Sequence, residues 1–553
     1  MAEFNALFDS AYELWAFWIA VVALTTFLLG GVFLTTRPQA EVIGHPKGLF
    51  LLFMAEMWER FSYYGMRALL IFYLVQHWMF SDSEASVIYG AYTALVYITP
   101  VVGGFLADRY LGQRKAVLFG AVLLTFGHFF MAFEGDGGQA DATINIFWMA
   151  LALIIVGSGF LKANISVMVG QLYPRTDIRR DPAYTIFYMG INVGAATASI
   201  ICGFLGQTVG WAYGFGLAGI GMLLGLVFFI VGKPLLLGKG EPKDPAKLAG
   251  GREFGIYGIG LAMVALCWLA IQYQSLVGWV LGFFGLGLVA YVLYLAIGRL
   301  PREERDRIFA AIFLIFVSIV FWALFEQAGS SLNLFTDRHV DTQGVAASMF
   351  QSINAIYIIL LAPLFAGLWQ MLARRGAEPS TPMKFGLAVI QVGLGFLVLV
   401  WGAQSVGLNV PTPVIFIFLI YLLHTTGELC LSPVGLSAMN RLSPGHMASL
   451  IMGTWFFASA TGNFAAGLIA SATGAEGVSQ EAGKQVVLDV YSTVGWFAVG
   501  VGIVVMVISP LVKKLMHLDT LADDDVGDDL EGQSEGPGEP QGAGMHPTTR
   551  PIH

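Results

Sequence analysis

The chain has little charge and almost no cysteine. Only 12% of its 553 residues are Asp, Glu, Lys or Arg, whereas 56% are hydrophobic. A soluble protein of this size would carry far more charge, so the composition favours a helical protein that crosses the membrane many times. The three cysteines, Cys202, Cys267 and Cys430, stand alone in apolar runs. This spacing fits neither a disulfide framework nor a metal site.

The sequence also lacks the motifs of an enzyme that works inside the membrane. It has no zinc-binding His-Glu-x-x-His, no Ser/His pair at membrane depth and no nucleotide-binding loop. We therefore expect no enzymatic activity, no metal and no cofactor. The sequence gives no sign of a nucleic-acid partner or of an obligate protein partner.

Apolar runs of about 20 residues, the length needed to cross a bilayer core, recur along nearly the whole chain. They predict fifteen spans, which lie at 14–34, 48–79, 84–107, 115–133, 145–172, 183–209, 212–232, 254–274, 277–298, 308–333, 345–373, 383–403, 413–440, 446–472 and 487–516.

The basic residues orient these spans when the loop near residues 35–46 is placed in the cytoplasm. Of the 29 Lys and Arg residues, Arg338 and Lys484 then fall outside, and Arg60, Arg67 and Lys162 lie within spans. The remaining 24 are cytoplasmic. This bias predicts a multi-pass membrane protein, with the lipid bilayer as a partner.

Loop composition divides the chain into segments. Basic loops at residues 233–252 and 299–307 flank two spans that contain no charge. Without these two and the first span, twelve remain as six plus six, which is a recurring plan of transporters. The predicted boundaries are 1–47 for an extra N-terminal transmembrane segment and loop, 48–232 for the first six-helix bundle, 233–307 for loops and a two-helix insertion, 308–516 for the second bundle, and 517–553 for a disordered acidic tail.

Few charged residues lie deep within the twelve core spans. An ionised group at mid-bilayer costs about 2.5–3.5 kcal/mol on insertion scales, so such groups are kept mainly where they face a polar cavity and perform a function. The charges fall on the first, fourth, seventh and tenth core helices, and they are Glu56, Glu59, Arg60, Arg67, Lys162, Glu326 and Glu428.

The first core helix places its polar residues on one face. At about 100° per residue, that face holds Glu56, Glu59, Arg60, Tyr63, Tyr64 and Arg67. Glu56 and Arg60 are spaced to pair at i,i+4, so Glu59 must find another partner or hold a proton. A carboxylate in this balance can gain and lose a proton as a cavity opens to each side.

The buried charges are also segregated between the two halves. All three cations belong to the first bundle, whereas the second contributes only Glu326 and Glu428. A zwitterion would bridge the halves, with its carboxylate on Arg60 or Lys162 and its ammonium on Glu428. Without a ligand, Arg67–Glu326 and Lys162–Glu428 are candidate gating salt bridges.

Other mid-span polar and aromatic residues are weaker candidates. Taken singly, Tyr97, Trp322 and Trp455 are more typical of packing than of ligand contact. Asn192 and Asn354 fit ligand contact and helix–helix hydrogen bonding equally well.

Several motifs resemble those of a known family. Residues 104–115 (Gly-Phe-Leu-Ala-Asp-Arg-Tyr-Leu-Gly-Gln-Arg-Lys) resemble the signature loop of the major facilitator superfamily. Glu56-x-x-Glu59-Arg60-Phe61 with Tyr63-Tyr64-Gly65 resembles the hallmark of the proton-dependent oligopeptide transporter (peptide transporter) family. Further matches are residues 159–166, 187–194, 321–327 and 427–435. The resemblance implies an all-α membrane protein with the major facilitator fold. Its two-helix insertion resembles that of bacterial members, which implies a location in the bacterial cytoplasmic (inner) membrane.

The resemblance also implies proton-coupled uptake of di- and tripeptides by alternating access. It assigns Glu56, Glu59 and Arg60 to proton coupling and carboxylate recognition, and makes Glu326 a proton-responsive partner of Arg67. It places Lys162 near the peptide C-terminus, and Asn354 and Glu428 near the N-terminus. The implied pocket lining is Tyr63, Tyr64, Tyr97, Asn192, Trp322, Ser432 and Trp455.

Two departures bear on the substrate and the proton site. Mammalian relatives have a functional histidine where this chain has Gly90, so carboxylates must handle the protons here. The Glu-x-x-Glu-Arg pattern, from which nitrate-transporting plant relatives depart, is intact and favours peptide. The alternative is proton-coupled transport of a peptide-like drug, an amino-acid conjugate or nitrate.

Overall fold

The fold is almost entirely helical. The computed structural model describes residues 41–518, except 175, 176, 178, 243, 249, 250, 445, 446 and 476. The predicted first span, 14–34, and nearly all of the acidic tail lie outside the described residues.

The first bundle contains six long helices. They are α1 (Lys47–Phe72), α2 (Asp82–Leu106), α3 (Gln113–Met131), α4 (Ile144–Gln171), α5 (Arg180–Thr208) and α6 (Trp211–Val231). π-Helical turns at Tyr73–His77 and Ala107–Leu111 extend α1 and α2, and 3₁₀ turns at Lys233–Leu236 and Pro245–Leu248 follow α6. These helices share one apolar core.

Two helices of an insertion follow, α7 (Arg252–Gln272) and α8 (Gln274–Arg299). The second bundle then contains α9 (Arg302–Phe325), α10 (Ser331–His339), α11 (Ser352–Arg374), α12 (Thr381–Val406), α13 (Ile415–Leu442), α14 (Ala448–Ser471) and α15 (Gln480–Leu515), with 3₁₀ turns at Glu326–Gly329 and Ala347–Gln351. A separate apolar core lies among these helices.

Strands are confined to two-residue pairs. Glu41–Val42 (β1) pairs antiparallel with His45–Pro46 (β2), and Val340–Asp341 (β3) pairs parallel with Thr412–Pro413 (β4). Twelve helical stretches of the described residues are long and apolar enough to cross a membrane. Helices α1 and α14 lie outside that set but are also long, and all fourteen of these helical stretches coincide with the predicted spans from residue 48 onward.

The predicted span 308–333 is not one continuous helix. A 3₁₀ turn at Glu326–Gly329 separates α9 from α10. Tyr89 of α2 explains the close approach at this turn, because a Cβ atom on Gly329 would overlap its hydroxyl group. A side chain at this position would require Tyr89 to shift, and the same turn begins with Glu326, which pairs with Arg67 of the first bundle.

The insertion joins the two bundles on their outer surface. Helix α7 packs mainly against α4, and α8 packs against α9, α14 and α2. In the most apolar segment of each helix, only 33% of the residues of α7 and 17% of those of α8 are buried. Exposed apolar side chains on helices of this length are expected to face lipid.

Candidate functional site

The face of α1 predicted to be polar is buried inside the protein. Glu56, Glu59 and Arg60 are each 0% exposed. Arg60 Nε donates a hydrogen bond to Glu56 Oε1 at 2.6 Å and lies 3.4 Å from Glu59 Oε2. One guanidinium therefore lies between two carboxylates on successive turns of one helix.

The two carboxylates are held differently. Glu56 has the short, charge-assisted bond to Arg60, whereas neither Glu59 oxygen has a hydrogen-bond partner within the described residues. Within the described residues, Arg60 therefore gives Glu56 a direct hydrogen bond and approaches Glu59 only to 3.4 Å.

Arg67 connects α1 to the second bundle. Its Nη2 atom pairs with Glu326 Oε2, and its Nε atom donates to the Tyr89 hydroxyl at 2.6 Å. Arg67 is 6% exposed and Glu326 3%. The ion pair thus joins the bundles inside the protein, where solvent screening is weak.

Lys162 of α4 lies against aromatic rings. Its Nζ atom is 3.9 Å from the centre of the Tyr63 ring and 6.0 Å from that of Tyr97. Within the described residues, Lys162 forms no ion pair with Glu428, so that gating pair remains a prediction for another conformation. The cation–π contact holds the ammonium group of Lys162 without using its N–H groups as hydrogen-bond donors.

Across the interface, the second bundle presents an acid and an amide. Asn354 Nδ2 of α11 donates to Glu428 Oε2 at 2.9 Å and to Thr425 Oγ1 at 3.0 Å, both on α13. Glu428 is 0% exposed. The amide orients the carboxylate and leaves the asparagine oxygen available as a further acceptor.

The remaining predicted residues lie in the buried interior or at its edge. Asn192 Nδ2 donates to Tyr188 O on its own helix, and Tyr64 packs against alanines of α5 and α11. Four buried groups have no hydrogen-bond partner within the described residues, and they are the Tyr63 hydroxyl, the Ser432 hydroxyl and the indole N–H groups of Trp322 and Trp455. Buried polar groups are usually satisfied, so such groups are natural contacts for a bound molecule.

Contacts between the bundles close the end predicted to face outward. Arg338 pairs with Asp82, and Asn333 and Gln351 both donate to the Ala68 carbonyl. Gln207 Oε1 also accepts hydrogen bonds from the Ser348 backbone N–H and hydroxyl at 2.9 and 2.7 Å. The structure therefore represents a state with the outer end shut.

Sequence reasoning missed two residues of this network. Tyr89 bonds Arg67, and Thr425 bonds Asn354. The available signal was weak, because each is a single hydroxyl side chain within an apolar span. Thr425 does lie three residues before Glu428 and thus on the same helical face.

Comparison with known proteins is consistent with this geometry. The sequence model of the POT family matches residues 114–248 and 299–486. The chain is 36% identical to the uncharacterized transporter YclF of Bacillus subtilis (strain 168) over 496 residues, which cover 87% of this chain and 96% of that protein. It is 37% identical to the peptide transporter YePEPT of Yersinia enterocolitica subsp. palearctica serotype O:3 (strain YE-P4) over 460 residues, covering 77% and 88% of the two chains.

Solved structures show the same likeness. A crystal structure of a peptide transporter, POT, in complex with sulfate superposes with a TM-score of 0.75 at 33% identity, covering 88% of this chain and 99% of that one. A POT family transporter in complex with 5-aminolevulinic acid gives a TM-score of 0.75 at 31% identity, covering 87% and 99%.

Proposed function

Since this chain belongs to the POT family, we propose that it imports di- and tripeptides together with protons by alternating access. The proposed location is a bacterial cytoplasmic membrane, and the proposed role is that of a transporter without enzymatic activity. Two observations carry the proposal: the buried acid–base arrangement of α1 and the buried acid-and-amide pair that the second bundle contributes.

Proton coupling is proposed to depend on Glu56, Glu59 and Arg60. Arg60 binds Glu56 at 2.6 Å, while Glu59 lacks a hydrogen bond within the described residues. A peptide carboxylate that binds Arg60 would compete with Glu56 for the guanidinium. The released Glu56 or the neighbouring Glu59 would then need a proton to remain buried, so binding of substrate and proton would be linked.

Peptide orientation is proposed to follow the segregation of charge. Lys162, held over Tyr63 rather than by an acid, keeps N–H donors for a carboxylate. Glu428, oriented by Asn354, offers an acceptor for the peptide ammonium. Tyr63, Tyr64, Tyr97, Asn192, Trp322, Ser432 and Trp455 are proposed to line the space between.

The gate is proposed to use ion pairs that exchange between states. Arg67 and Glu326 join the bundles while the outer end is shut. Opening that end would break this pair, and closure of the cytoplasmic end would bring Lys162 towards Glu428. Substrate that binds to Lys162 and Glu428 would then influence which end opens.

Uptake of a labelled dipeptide into proteoliposomes, with and without an inward proton gradient, tests the proposal. The wild type should concentrate the peptide only with the gradient. Glu56→Gln and Glu59→Gln should each abolish this accumulation while exchange of internal for external peptide continues. Asp489→Asn, on an exposed face of α15, is the matched control. Gradient-driven accumulation in both glutamine variants would contradict the assignment.

A second substrate class deserves the same assay because a relative has been solved with 5-aminolevulinic acid. That molecule separates an ammonium from a carboxylate, as a dipeptide does. Competition by dialanine, 5-aminolevulinic acid and nitrate against the labelled dipeptide would rank the classes. Strong competition by nitrate with none by dialanine would favour the alternative.

A further inference from the structure

A cavity away from the interface between the bundles has no place in the mechanism above. It has a volume of about 550 Å³ and lies at the outer end, between α2, α4 and the turn that joins α7 to α8. Every lining residue belongs to the first bundle or the insertion. None of the lining residues is among those proposed to bind substrate or protons, so the cavity is distinct from that site.

The lining is unusually rich in hydrogen-bond acceptors. Four side-chain amides use their NH₂ groups on backbone carbonyls, as Gln139 on Met79, Asn145 on Ala142, Gln272 on Trp268 and Gln274 on Ile271. Within the described residues, none of the four amide oxygens accepts a hydrogen bond. An amide nitrogen placed on a carbonyl oxygen also fixes which end of the group is the acceptor.

One carboxylate adds negative charge to these oxygens. Glu84 is exposed, and its Oε2 atom caps α2 by accepting from the Ser81 N–H and hydroxyl at 3.2 and 3.0 Å. Its other oxygen is left for a ligand. The lining contains no Lys, Arg or His. It therefore suits a cation that donates several hydrogen bonds.

The surroundings limit the kind of cation. The described residues contain no group of three or more His, Cys, Asp or Glu side chains that could hold a metal ion. The other wall is apolar, with Phe80 edge-on to Trp148 at 5.9 Å between ring centres. Tryptophan is typical of the membrane–water boundary. A polar wall beside an apolar one fits an amphiphile with its headgroup in the cavity.

We propose that this cavity binds the primary ammonium headgroup of an aminophospholipid such as phosphatidylethanolamine from the outer leaflet. The ammonium would donate to Glu84 and to the amide oxygens, and an acyl chain would lie along Val87 and Ile144, which are partly exposed. A choline headgroup has the same charge but no N–H donor, so it would bind more weakly. The bound lipid would attach the insertion to the first bundle.

Native mass spectrometry tests the site without any measurement of transport. The full chain is exposed to equal amounts of phosphatidylethanolamine, phosphatidylcholine and phosphatidylglycerol with identical acyl chains. Retention of the ethanolamine lipid should exceed that of the choline lipid by roughly two- to tenfold, the range that one hydrogen bond contributes. Equal retention of the two, or preference for the glycerol lipid, would overturn the proposal.

Substitutions localise the effect. Glu84→Gln removes the charge but keeps an acceptor for the cap of α2, so it should lower retention of both the ethanolamine and the choline lipid and only lessen the preference between them. The double variant Gln272→Leu with Gln274→Leu should reduce it. Glu481→Gln, which changes another first-turn acid on α15 away from the cavity, is the control and should leave the preference unchanged. Unchanged retention of both lipids in Glu84→Gln would overturn the proposal.

The free ammonium of a peptide is the other source of the same chemistry. Dialanine added in excess should leave the lipid bound, because no lining residue is among those proposed to bind the peptide. Displacement of the lipid by dialanine from the wild type would overturn the assignment to a lipid. A photoactivatable phosphatidylethanolamine should cross-link to α2 or α4, and labelling confined to other helices would also overturn it.

Discussion

Helices α1 and α8 are both 26 residues long, yet they use the membrane in opposite ways. Helix α1 carries Glu56, Glu59, Arg60 and Arg67 in its interior and is nearly all buried. The interior of α8 has no charge, and most of its side chains are exposed. Burial in this membrane protein thus follows function as much as hydrophobicity. The helix with the charged residues, α1, is buried, whereas the uncharged, apolar α8 lies at the periphery.

The largest expected effect comes from breaking the charge balance of α1. Arg60→Met leaves two buried carboxylates on adjacent turns without their cation, which should cost about 3–5 kcal/mol of stability. Thermal unfolding of the purified protein at pH 8 and pH 5 would measure this. The loss should be smaller at pH 5, because protonated carboxyl groups need no counter-ion.

Arg60→Lys is the matched variant for that experiment. It keeps the positive charge but loses the planar fork of donors, so its unfolding temperature should lie between those of the wild type and Arg60→Met. Equal unfolding temperatures for all three proteins at pH 8 would show that the carboxylates do not depend on Arg60.

A second change gives α8 the kind of residue that α1 has. Leu286 lies near the middle of α8 and is 72% exposed. Leu286→Arg should cost roughly 2.5–3.5 kcal/mol in membrane insertion because no buried partner awaits the charge. The yield of inserted protein and its unfolding temperature report this cost. Leu286→Ala controls for lost apolar area, and normal insertion of both variants would contradict a lipid-facing α8.

A third, smaller effect concerns the link from α1 to the second bundle. Glu326→Gln removes the charge paired with Arg67, so the outer end should open more often. With Ala347→Cys as a reporter and the native cysteines replaced by alanine, the rate of maleimide labelling from outside should rise about tenfold, which corresponds to about 1.4 kcal/mol.

Tyr89→Phe sharpens the test of this link. It removes the hydroxyl that accepts from Arg67 and leaves the ion pair in place. Labelling should therefore rise less than in Glu326→Gln. A slower rate in Glu326→Gln than in the wild type would show that the pair does not hold the outer end shut.

The smallest expected effect is at the surface. Arg338, whose side chain is 37% exposed, pairs with Asp82 at the outer end. An exposed pair contributes about 0.2–1 kcal/mol, so Arg338→Gln should change the reporter labelling less than threefold or so. High salt should remove the difference from the wild type, because it screens the pair. A salt-independent difference would point to packing instead.

The sequence alone predicted which segments cross the membrane, because the length and apolar content of a span are local properties. It also predicted which residues share a face of α1, since helical geometry determines that arrangement. It did not predict that Lys162 lies over Tyr63 or that Tyr89 bonds Arg67. Those contacts depend on how neighbouring helices rotate against each other, which the pattern of one helix does not record.

The break before α10 was missed for a related reason. Residues 308–333 are apolar enough to predict one helix, and nothing in that pattern marks Glu326–Gly329 as a 3₁₀ turn. The turn accompanies the contact of Gly329 with Tyr89, which is 240 residues away in the chain. The functional roles of the predicted site residues remain predictions, because geometry places the groups without measuring transport.

One close contact has a mechanical consequence. A Cβ atom on Gly90 would lie 2.7 Å from Gly467 Cα, so α2 and α14 touch backbone to backbone at this point. Neither glycine places a side chain between the two helices here. A contact of this kind should offer little resistance when one bundle tilts relative to the other. A bulkier residue at either glycine would increase the distance between α2 and α14 and remove the close contact about which the two bundles could pivot.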